Sequence, residues 1–255
     1  MSQLFDVSGK TALVTGGSRG IGLMIATGLV RAGAKVIVSS RKVDDVNAAA
    51  EQLAALGDCH AIPGDVSTPD GAQALAAATR ERFPSLDILV NNAGAVWGAP
   101  LEEFPAIGWD KVAHTNVEGV FHLTVALLGA LRAAANAEDP ARVINIGSID
   151  GIQVPALETY SYSASKAAVL QLTRHLAKRL APLVTVNAIA PGPFESKMMA
   201  ATLEAFGEQI ASSAPLKRIG RPDDMAGAAI YLSSRAGAYL TGAIIPVDGG
   251  IATTR

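Results

Sequence analysis

Short apolar runs alternate with longer alanine-rich runs of helical spacing along the whole chain. The short runs are rich in β-branched and aliphatic residues and predict seven strands: Lys10–Thr15, Lys35–Ser40, His60–Pro63, Asp87–Asn91, Arg142–Ile146, Val184–Ile189 and Ala243–Val247. The longer runs predict helices near Ile21–Ala32, Val43–Leu56, Pro69–Phe83, Trp109–Ala135, Thr159–Ala181 and Asp223–Ser234. Strands that are apolar on both faces and separated by helices are typical of a parallel sheet covered on both sides. The pattern therefore predicts a doubly wound α/β fold.

One stretch departs from this alternation. It is residues 191–215, and its apolar residues are Phe194, Met198, Met199, Leu203, Phe206 and Ile210. Its length and apolar content predict a substrate loop or mobile lid that contains a short helix, and the alternative is an ordinary helical excursion packed on the core. No linker, repeat or low-complexity tract divides residues 1–255, so we expect one domain.

Composition narrows the class of protein. The single cysteine, Cys59, excludes a disulfide framework or a cysteine-rich metal site, and the histidines have no ligand spacing, so we expect no metal. The net charge of −2 gives no electrostatic footprint for nucleic acid or an anionic membrane. The apolar stretch Gly119–Ala137 is interrupted by His122 and Arg132, and the N-terminus lacks a secretory pattern. We expect a soluble cytoplasmic protein.

A glycine-rich turn follows the first predicted strand and opens the first predicted helix. It reads TGGSRGIG from Thr15 to Gly22. In this context the glycines allow a tight turn and close approach of a pyrophosphate, while the helix N-terminus supplies amide donors. The predicted dinucleotide contacts in this turn are Gly16, Ser18, Arg19, Gly20, Ile21 and Gly22.

The end of the second strand bears on the choice of dinucleotide. An NAD site has an acid there for the ribose 2′-hydroxyl, but this strand ends Ser39-Ser40-Arg41. Arg19 and Arg41 could instead flank a 2′-phosphate. We therefore predict NADP(H) over NAD(H), with Ser40 and Arg41 in the site.

Two further strand ends contribute candidate cofactor contacts. Asp65 and Val66 follow the third strand and could meet the adenine edge, although an Asp there could simply form a turn. Asn92-Ala93-Gly94 ends the fourth strand, where small residues would let the backbone approach the adenosine ribose and would lock neighbouring strands. This tripeptide could also be turn chemistry alone.

A tyrosine and a lysine stand four residues apart at the start of a long predicted helix. Because residues four apart share a helix face, the Tyr162 phenol and the Lys166 ammonium can point at the same spot. A positive charge beside a phenol favours the phenolate, so this pair can give and take a proton. Ser148, at the end of the preceding strand, could donate a hydrogen bond to a substrate oxygen.

With TGxxxGxG, NNAG, the strand-end serine and YSASK in order, the chain resembles the short-chain dehydrogenase/reductase family from Lys10 to Gly250. The resemblance implies a Rossmann-like fold with a seven-stranded parallel sheet, a nicotinamide cofactor, and a catalytic tetrad at Asn116, Ser148, Tyr162 and Lys166. It also implies that the Pro191-Gly192 backbone binds the nicotinamide carboxamide and that Ser196 stands where a threonine often helps. Phe194, Tyr162 and Lys166 are also expected to contact the cofactor, and Lys166 can hydrogen-bond the nicotinamide ribose. From its own chemistry Asn116 is equally a buried, satisfied amide or part of a proton relay, and the resemblance favours the relay.

The substrate is less determined. SGKTALVTGGSRGIG, NNAGAVWGAPLEEFP, ARVINIGSIDGI and TGAIIPVDGG look like the 3-oxoacyl reductase group, especially its rhamnolipid-type branch. Reductases of this kind that dock acyl carrier protein commonly carry a cation between the catalytic helix and the sixth strand, but that turn reads Leu180-Ala-Pro-Leu-Val184, which puts carrier docking in doubt. An apolar ketone is also indicated by possible cleft residues, although each could be core: Trp97, Ile152, Val154, Leu157, Phe194, Met198 and Phe206.

We therefore predict an NADP(H)-dependent interconversion of a ketone and a secondary alcohol, with a small-molecule substrate such as a 3-oxoacyl thioester. A sugar, polyol or steroid dehydrogenase is the alternative on the same scaffold. A non-catalytic nucleotide-binding sensor is remote, because all four tetrad residues are present. The family assembles through its two long helices and last strand, so a homotetramer or homodimer is expected.

Overall fold

The computed structural model describes residues 3–196 and 199–254, in which seven parallel strands form one sheet between two layers of helices. The strands are β1 Thr11–Thr15, β2 Lys35–Ser39, β3 Cys59–Ala61, β4 Ile88–Asn91, β5 Ala141–Ile146, β6 Val184–Pro191 and β7 Ile244–Val247. The helices are α1 Gly20–Arg31, α2 Val43–Ala54, α3 Pro69–Arg82, α4 Ala106–Ala113, α5 Gly119–Ala134, α6 Tyr160–Leu180, α7 Ala200–Ser213 and α8 Pro222–Ser233. The doubly wound fold predicted from the sequence is confirmed.

The strand order β3-β2-β1-β4-β5-β6-β7 places the chain reversal between β1 and β4. From β1 the chain winds outward to β3, and from β4 it winds outward in the other direction. The carboxyl ends of β1 and β4 therefore diverge into helices on opposite faces, which opens a crevice between them. This crevice is the expected position for a ligand in a sheet of this type.

Two apolar cores lie on the two faces of the sheet. Alternate residues of a strand point to opposite faces, so Val14 joins the core under α1, α2 and α8, while its neighbour Leu13 joins the core under α3, α5 and α6. Strands with both faces buried read as continuous apolar runs, which is why the hydrophobic pattern was informative.

The helix predicted over Trp109–Ala135 is longer and less regular than expected. It runs from Ala106 to Ala134 and is interrupted by a π-helical turn at His114–Glu118. This stretch is long and apolar enough for a membrane span by length and composition. We interpret it as a core helix, because Leu123, Leu127 and Leu131 are buried in the core shared with α3.

The segment after β6 contains the predicted short helix, α7. Its two ends are anchored, since Phe194 and Ala214 are both buried. Between these anchors Phe206 is 54% exposed. Met198 lies outside the described residues, as does the side chain of Leu203. Anchored ends with an exposed helix between them are compatible with a hinged lid, and that role stays a prediction.

Close contact between α1 and α8 generates a stability prediction. Gly28 faces Ala226, and a Cβ added at Gly28 would overlap the Ala226 methyl group. We expect Gly28→Ala to lower the free energy of unfolding by about 1–3 kcal/mol, because the two helices must move apart. Denaturant unfolding measures this change.

The matched control lies one residue beyond Ala226. Gly227 is exposed on α8, and a Cβ there would meet nothing within 4 Å. Gly227→Ala should stabilise the protein by up to about 1 kcal/mol through helix propensity alone. Equal effects of the two substitutions would contradict the packing explanation.

Candidate active site

The glycine-rich turn folds tightly onto the start of α1. Gly16 and Gly20 have φ values of +63° and +53°, in the left-handed region that favours glycine. A Cβ on Gly22 would overlap the Gly16 carbonyl oxygen, so the turn and the first turn of the helix are in direct contact. The first amide groups of α1 have no partner within the helix and form a natural anion-binding position.

Hydrogen bonds from β4 hold this turn in place. The backbone amides of Asn92 and Ala93 both donate to Thr15 Oγ1 at 3.0 Å, and Asn92 Nδ2 donates to the Thr15 carbonyl oxygen at 2.8 Å. The Asn92 side chain therefore supports the turn from behind. Thr15 was not among the predicted site residues, although its position directly before the glycines was a signal.

A crevice runs along the carboxyl ends of β1, β2 and β4. Nine of its lining residues are among the predicted contacts: Gly16, Ser18, Arg19, Ser40, Arg41, Asp65, Val66, Ala93 and Gly94. It is also lined by residues that were not predicted, namely Thr15, Ser39, Lys42, Asp45, Gly64 and Thr115. Asp65 Oδ1 accepts a hydrogen bond from the Ser67 amide at 2.9 Å, so this Asp forms the turn and lines the crevice.

Charges at the β2 end of the crevice combine three cations with two acids. Arg19, Arg41 and Lys42 line it together with Asp45 and Asp65. Lys42 was missed in the sequence, although it directly follows Arg41. No carboxylate ends β2 itself, since the chain there reads Ser39-Ser40-Arg41.

The segment after β6 reaches the same turn from the other side. A Cβ on Gly20 would lie 3.3 Å from Ser196 Cβ, so Ser196 lies beside the glycine turn. Pro191 ends β6, and the Gly192 amide donates to the Val247 carbonyl oxygen at 3.0 Å. The segment after β6 therefore approaches the crevice, and Ser196 is the predicted residue that lies against the glycine turn.

Phe194 lies in the core. It is 2% exposed and belongs to the core that includes Ile146 and Ile189. Its ring also packs directly against Gly220, where any Cβ would overlap it. Of the two alternatives for this side chain, cleft or core, the structure supports the core, and its contact with the cofactor stays a prediction.

Ser148, Tyr162 and Lys166 meet at the carboxyl end of β5. Ser148 caps a short 3₁₀ turn, Ile149–Gly151, and its Oγ accepts the Asp150 amide at 3.1 Å. Because this oxygen is used as an acceptor, its hydrogen is left for donation toward the phenol or a substrate. Lys166 Nζ lies 5.5 Å from the centre of the Tyr162 ring and donates to the Ile146 carbonyl oxygen at 2.7 Å.

Burial shifts both titrating groups away from their charged forms. It raises the pKa of Tyr162 to about 12; a hydrogen bond from Ser148 acts in the opposite direction, and the Asp150 carboxylate adds to the increase. Burial likewise lowers the pKa of Lys166 to about 8, against the influence of Asp150. In the protein alone, therefore, the phenolate of Tyr162 is less favourable than that of a free tyrosine.

Asn116 lies in the π-helical turn and is 1% exposed. Its side chain accepts the Ala95 amide at 2.7 Å and donates to the Ala95 carbonyl oxygen and to Ser165 Oγ, both at 2.9 Å. The side chain is thus a satisfied amide that clamps the β4 loop to α6. The proton relay stays a prediction.

Gly94 joins the crevice to this cluster. A Cβ at Gly94 would lie 3.5 Å from Asn116 Oδ1 and 3.9 Å from Lys166 Nζ. The two halves of the predicted site, nucleotide crevice and proton-transfer cluster, are therefore continuous in space.

Apolar side chains surround the outer part of the site. Ile152, Val154 and Leu157 are 44%, 92% and 53% exposed, so they are rim residues and not core. Trp97 is half-buried against Gly108. Tyr160, the competing phenol, donates to Glu158 at 2.9 Å and packs edge-on against Phe104, which is a packing role at this rim.

Comparison with known proteins identifies relatives along nearly the whole chain. The family model described as Enoyl-(Acyl carrier protein) reductase matches residues 16–252. A rhamnolipids biosynthesis 3-oxoacyl-[acyl-carrier-protein] reductase of Pseudomonas aeruginosa is 51% identical over 254 residues, which cover 98% of this chain and 99% of the relative. The fold and site are those of a dinucleotide-dependent oxidoreductase.

Two solved structures are similar to this chain over nearly its whole length. The Pseudomonas aeruginosa RhlG/NADP active-site complex superposes with a TM-score of 0.96 at 50% identity, covering 99% of this chain and 100% of the other. A gluconate 5-dehydrogenase from Burkholderia cenocepacia, in complex with NADP and tartrate, has a TM-score of 0.91 at 31% identity, with 98% of each chain covered. The chain belongs to the short-chain dehydrogenase/reductase family.

The Thr15 hydrogen bonds generate a test of how the turn is held. Thr15→Val keeps the side-chain shape but leaves the Asn92 and Ala93 amides without their acceptor in a site where Thr15 is 2% exposed. We expect a loss of about 1–3 kcal/mol in the free energy of unfolding and weaker dinucleotide binding. Denaturant unfolding and nucleotide titration by calorimetry measure the two effects.

Thr15→Ser is the matched control because it keeps the oxygen. It should retain most of the dinucleotide affinity. If the valine and serine variants bind dinucleotide equally well, the hydrogen bonds to Thr15 do not hold the turn.

Proposed function

We propose that this protein is an NADP(H)-dependent oxidoreductase that interconverts a ketone and a secondary alcohol, acting chiefly as a reductase of 3-oxoacyl thioesters. The observation that carries the proposal is the cluster of Ser148, Tyr162 and Lys166 beside the nucleotide crevice, joined to it at Gly94. The relatives named as a 3-oxoacyl reductase and as an NADP complex support this chemistry.

The residues of the crevice fit a phosphorylated dinucleotide. The glycine turn offers the amides of a helix N-terminus to a pyrophosphate, and Arg41 and Lys42 stand where a 2′-phosphate would lie. When bound, NADPH would supply a hydride from C4 of its nicotinamide ring. Pro191, Gly192 and Ser196 lie on the segment that would hold that ring.

The chain's own residues would handle the proton and the oxygen. As the carbonyl carbon gains a hydride, Tyr162 donates its phenolic proton to the carbonyl oxygen, so the ketone becomes an alcohol. Ser148 donates a hydrogen bond to the same oxygen and stabilises the charge that develops on it. Lys166 favours the phenolate left behind, and reprotonation from solvent would pass through Lys166 and the Asn116 turn.

An apolar acyl chain suits the rim better than a sugar acid. Ile152, Val154 and Leu157 expose aliphatic surface in the segment that follows Ser148 in the chain. A gluconate-like substrate is the second candidate, because relatives bearing that name are 36% and 31% identical.

Carrier docking is a separate question. The cations nearest the α6–β6 turn are Lys178 and Arg179, in the last turn of α6. They lie 16 or more residues beyond Tyr162, roughly 24 Å along the helix. The proposal therefore extends to a 3-oxoacyl thioester and not to its carrier.

Exposed apolar residues on α5 and before β7 bear on the oligomeric state. Phe121 and Val125 expose aromatic and aliphatic surface on α5, and Tyr239, ahead of β7, is fully exposed. These surfaces would be covered in a homotetramer or homodimer. We propose such an assembly in the cytoplasm, with α7 as the lid over bound substrate.

A substrate panel with purified protein tests the reaction. With NADPH, 3-oxoacyl thioesters should be reduced, as read by the loss of NADPH absorbance, and kcat/KM should rise with acyl chain length. Tyr162→Phe removes the proton donor and should lower kcat by about 10²–10⁴-fold, with a far smaller effect on NADPH affinity because the crevice contacts remain.

Tyr160→Phe is the matched control, since it removes a phenol two residues away that is bonded to Glu158. It should keep near-normal turnover. Failure of every 3-oxoacyl thioester together with turnover of gluconate would establish the second candidate, and full activity of Tyr162→Phe would refute the assigned proton donor.

Cofactor preference tests the role of the β2 end. The wild-type protein should show a higher kcat/KM with NADPH than with NADH. Replacing both Arg41 and Lys42 by Ala removes two charges from the crevice, so it should weaken NADPH and leave NADH nearly unaffected. A wild-type preference for NADH would contradict the assignment.

A further inference from the structure

A chain of four polar side chains crosses the sheet near the carboxyl ends of β4 and β5. Asn91 on β4 and Asn145 on β5 are register partners, and Asn91 Nδ2 donates to Asn145 Oδ1 at 2.9 Å. Asn91 Nδ2 also donates to Thr124 Oγ1 on α5 at 3.0 Å. At the other end, Asn145 Nδ2 donates to Thr173 Oγ1 on α6 at 2.9 Å. The chain therefore links two strands and two helices, and none of its members takes part in the proposed proton transfer.

The direction of these hydrogen bonds is determined by the two threonines. Each hydroxyl donates to a carbonyl oxygen of its own helix, Thr124 to Val120 at 2.7 Å and Thr173 to Val169 at 2.8 Å. Because a hydroxyl has one hydrogen, both oxygens are left as acceptors for the asparagine amides. All four side chains are at most 4% exposed, so water cannot easily replace a lost partner.

Thr173 lies on the helix that carries the proposed proton-transfer pair. It follows Lys166 by seven residues, which is about two turns and about 10 Å along α6, so the two side chains share a face of the helix. Lys166 Nζ donates to the Ile146 carbonyl oxygen at 2.7 Å, and Thr173 accepts from Asn145, the preceding residue of β5. Hydrogen bonds to two consecutive residues of one strand therefore hold α6 at two points.

We propose that Thr173 is a positioning residue, which through Asn145 holds α6 at the height along β5 where the Lys166 ammonium meets the Ile146 carbonyl oxygen. Tyr162 lies one turn before Lys166 on the same helix, so a shift of α6 would move the phenol and the ammonium together. A displacement of about 1 Å can lower a reaction rate by about 100-fold. The effect on turnover rests on the proposed function, whereas the position of Lys166 does not.

Crystal structures of the wild type and of Thr173→Val test the position directly. Valine keeps the β-branched shape but removes the oxygen that accepts from Asn145. The distance between Lys166 Nζ and the Ile146 carbonyl oxygen, 2.7 Å with threonine present, should increase beyond about 3.5 Å, where a hydrogen bond is lost. An unchanged distance would overturn the proposal, whatever the substrate proves to be.

Steady-state kinetics tests the consequence for the reaction. In Thr173→Val, kcat for ketone reduction should fall about 10–100-fold. The KM for NADPH should change far less, because Thr173 is not among the residues that line the nucleotide crevice. Thr173→Ser keeps the acceptor oxygen and should restore most of kcat. Normal kcat in the valine variant, or no recovery in the serine variant, would refute the positioning role.

Thr79→Val is the matched control. Thr79 on α3 is 0% exposed, as Thr173 is, and its hydroxyl donates to the Leu75 carbonyl oxygen at 2.8 Å. Across residues 3–196 and 199–254, however, its side-chain oxygen accepts no hydrogen bond from another element. This variant loses the same bond within its helix, but it should keep kcat and the Lys166 distance. An equal loss of kcat in both variants would show that core stability, and not positioning, is responsible.

A folding check keeps the comparison decisive. Circular dichroism at the assay temperature establishes that each variant is folded, and Thr173→Ala, which also lacks the acceptor oxygen, replaces Thr173→Val if the latter does not fold. Absence of any turnover in the wild type would refute the proposed function, and the crystallographic distance would then decide the position of Lys166 by itself.

Discussion

The hydrogen bonds between Thr15 and the Asn92–Ala93 backbone are the interaction on which the site depends. They join the ends of β1 and β4 at the point where the sheet's winding reverses, and they fix the glycine turn against α1. From that point the chain can place nucleotide-binding groups on one side and, through Gly94, Lys166 on the other. A loss of register here would separate the two halves of the site.

Burial disfavours the charged forms of the two titratable groups, Tyr162 and Lys166. The same apolar surroundings that exclude water raise the pKa of Tyr162 to about 12 and lower that of Lys166 to about 8, so both groups are biased toward neutrality. A hydrogen bond from Ser148 favours the phenolate, and Asp150 opposes it. In the proposed proton transfer these neighbours would set the charge state of the phenol, and a positively charged nicotinamide would shift it toward the phenolate.

The shared scaffold and the outer surface of the site are formed by different parts of the chain. The scaffold is shared with reductases and gluconate dehydrogenases at TM-scores of 0.90 or above. The rim residues Ile152, Val154 and Leu157 and the acidic Glu195 belong to segments that connect the regular elements, whereas Glu204 and Glu208 lie on α7. Such segments can change in polarity without disturbing the sheet.

The sequence by itself determined the elements and the chemical groups, because those depend on local patterns: strand alternation, glycines directly after a strand, and a tyrosine and lysine one helical turn apart. Only the tertiary structure decided what several side chains contact. Phe194 anchors the core, since Gly220 leaves space for its ring, and the Asn116 amide is occupied by Ala95. Thr115 lines the same crevice as Thr15 although 100 residues separate them in the chain, which no local pattern could reveal.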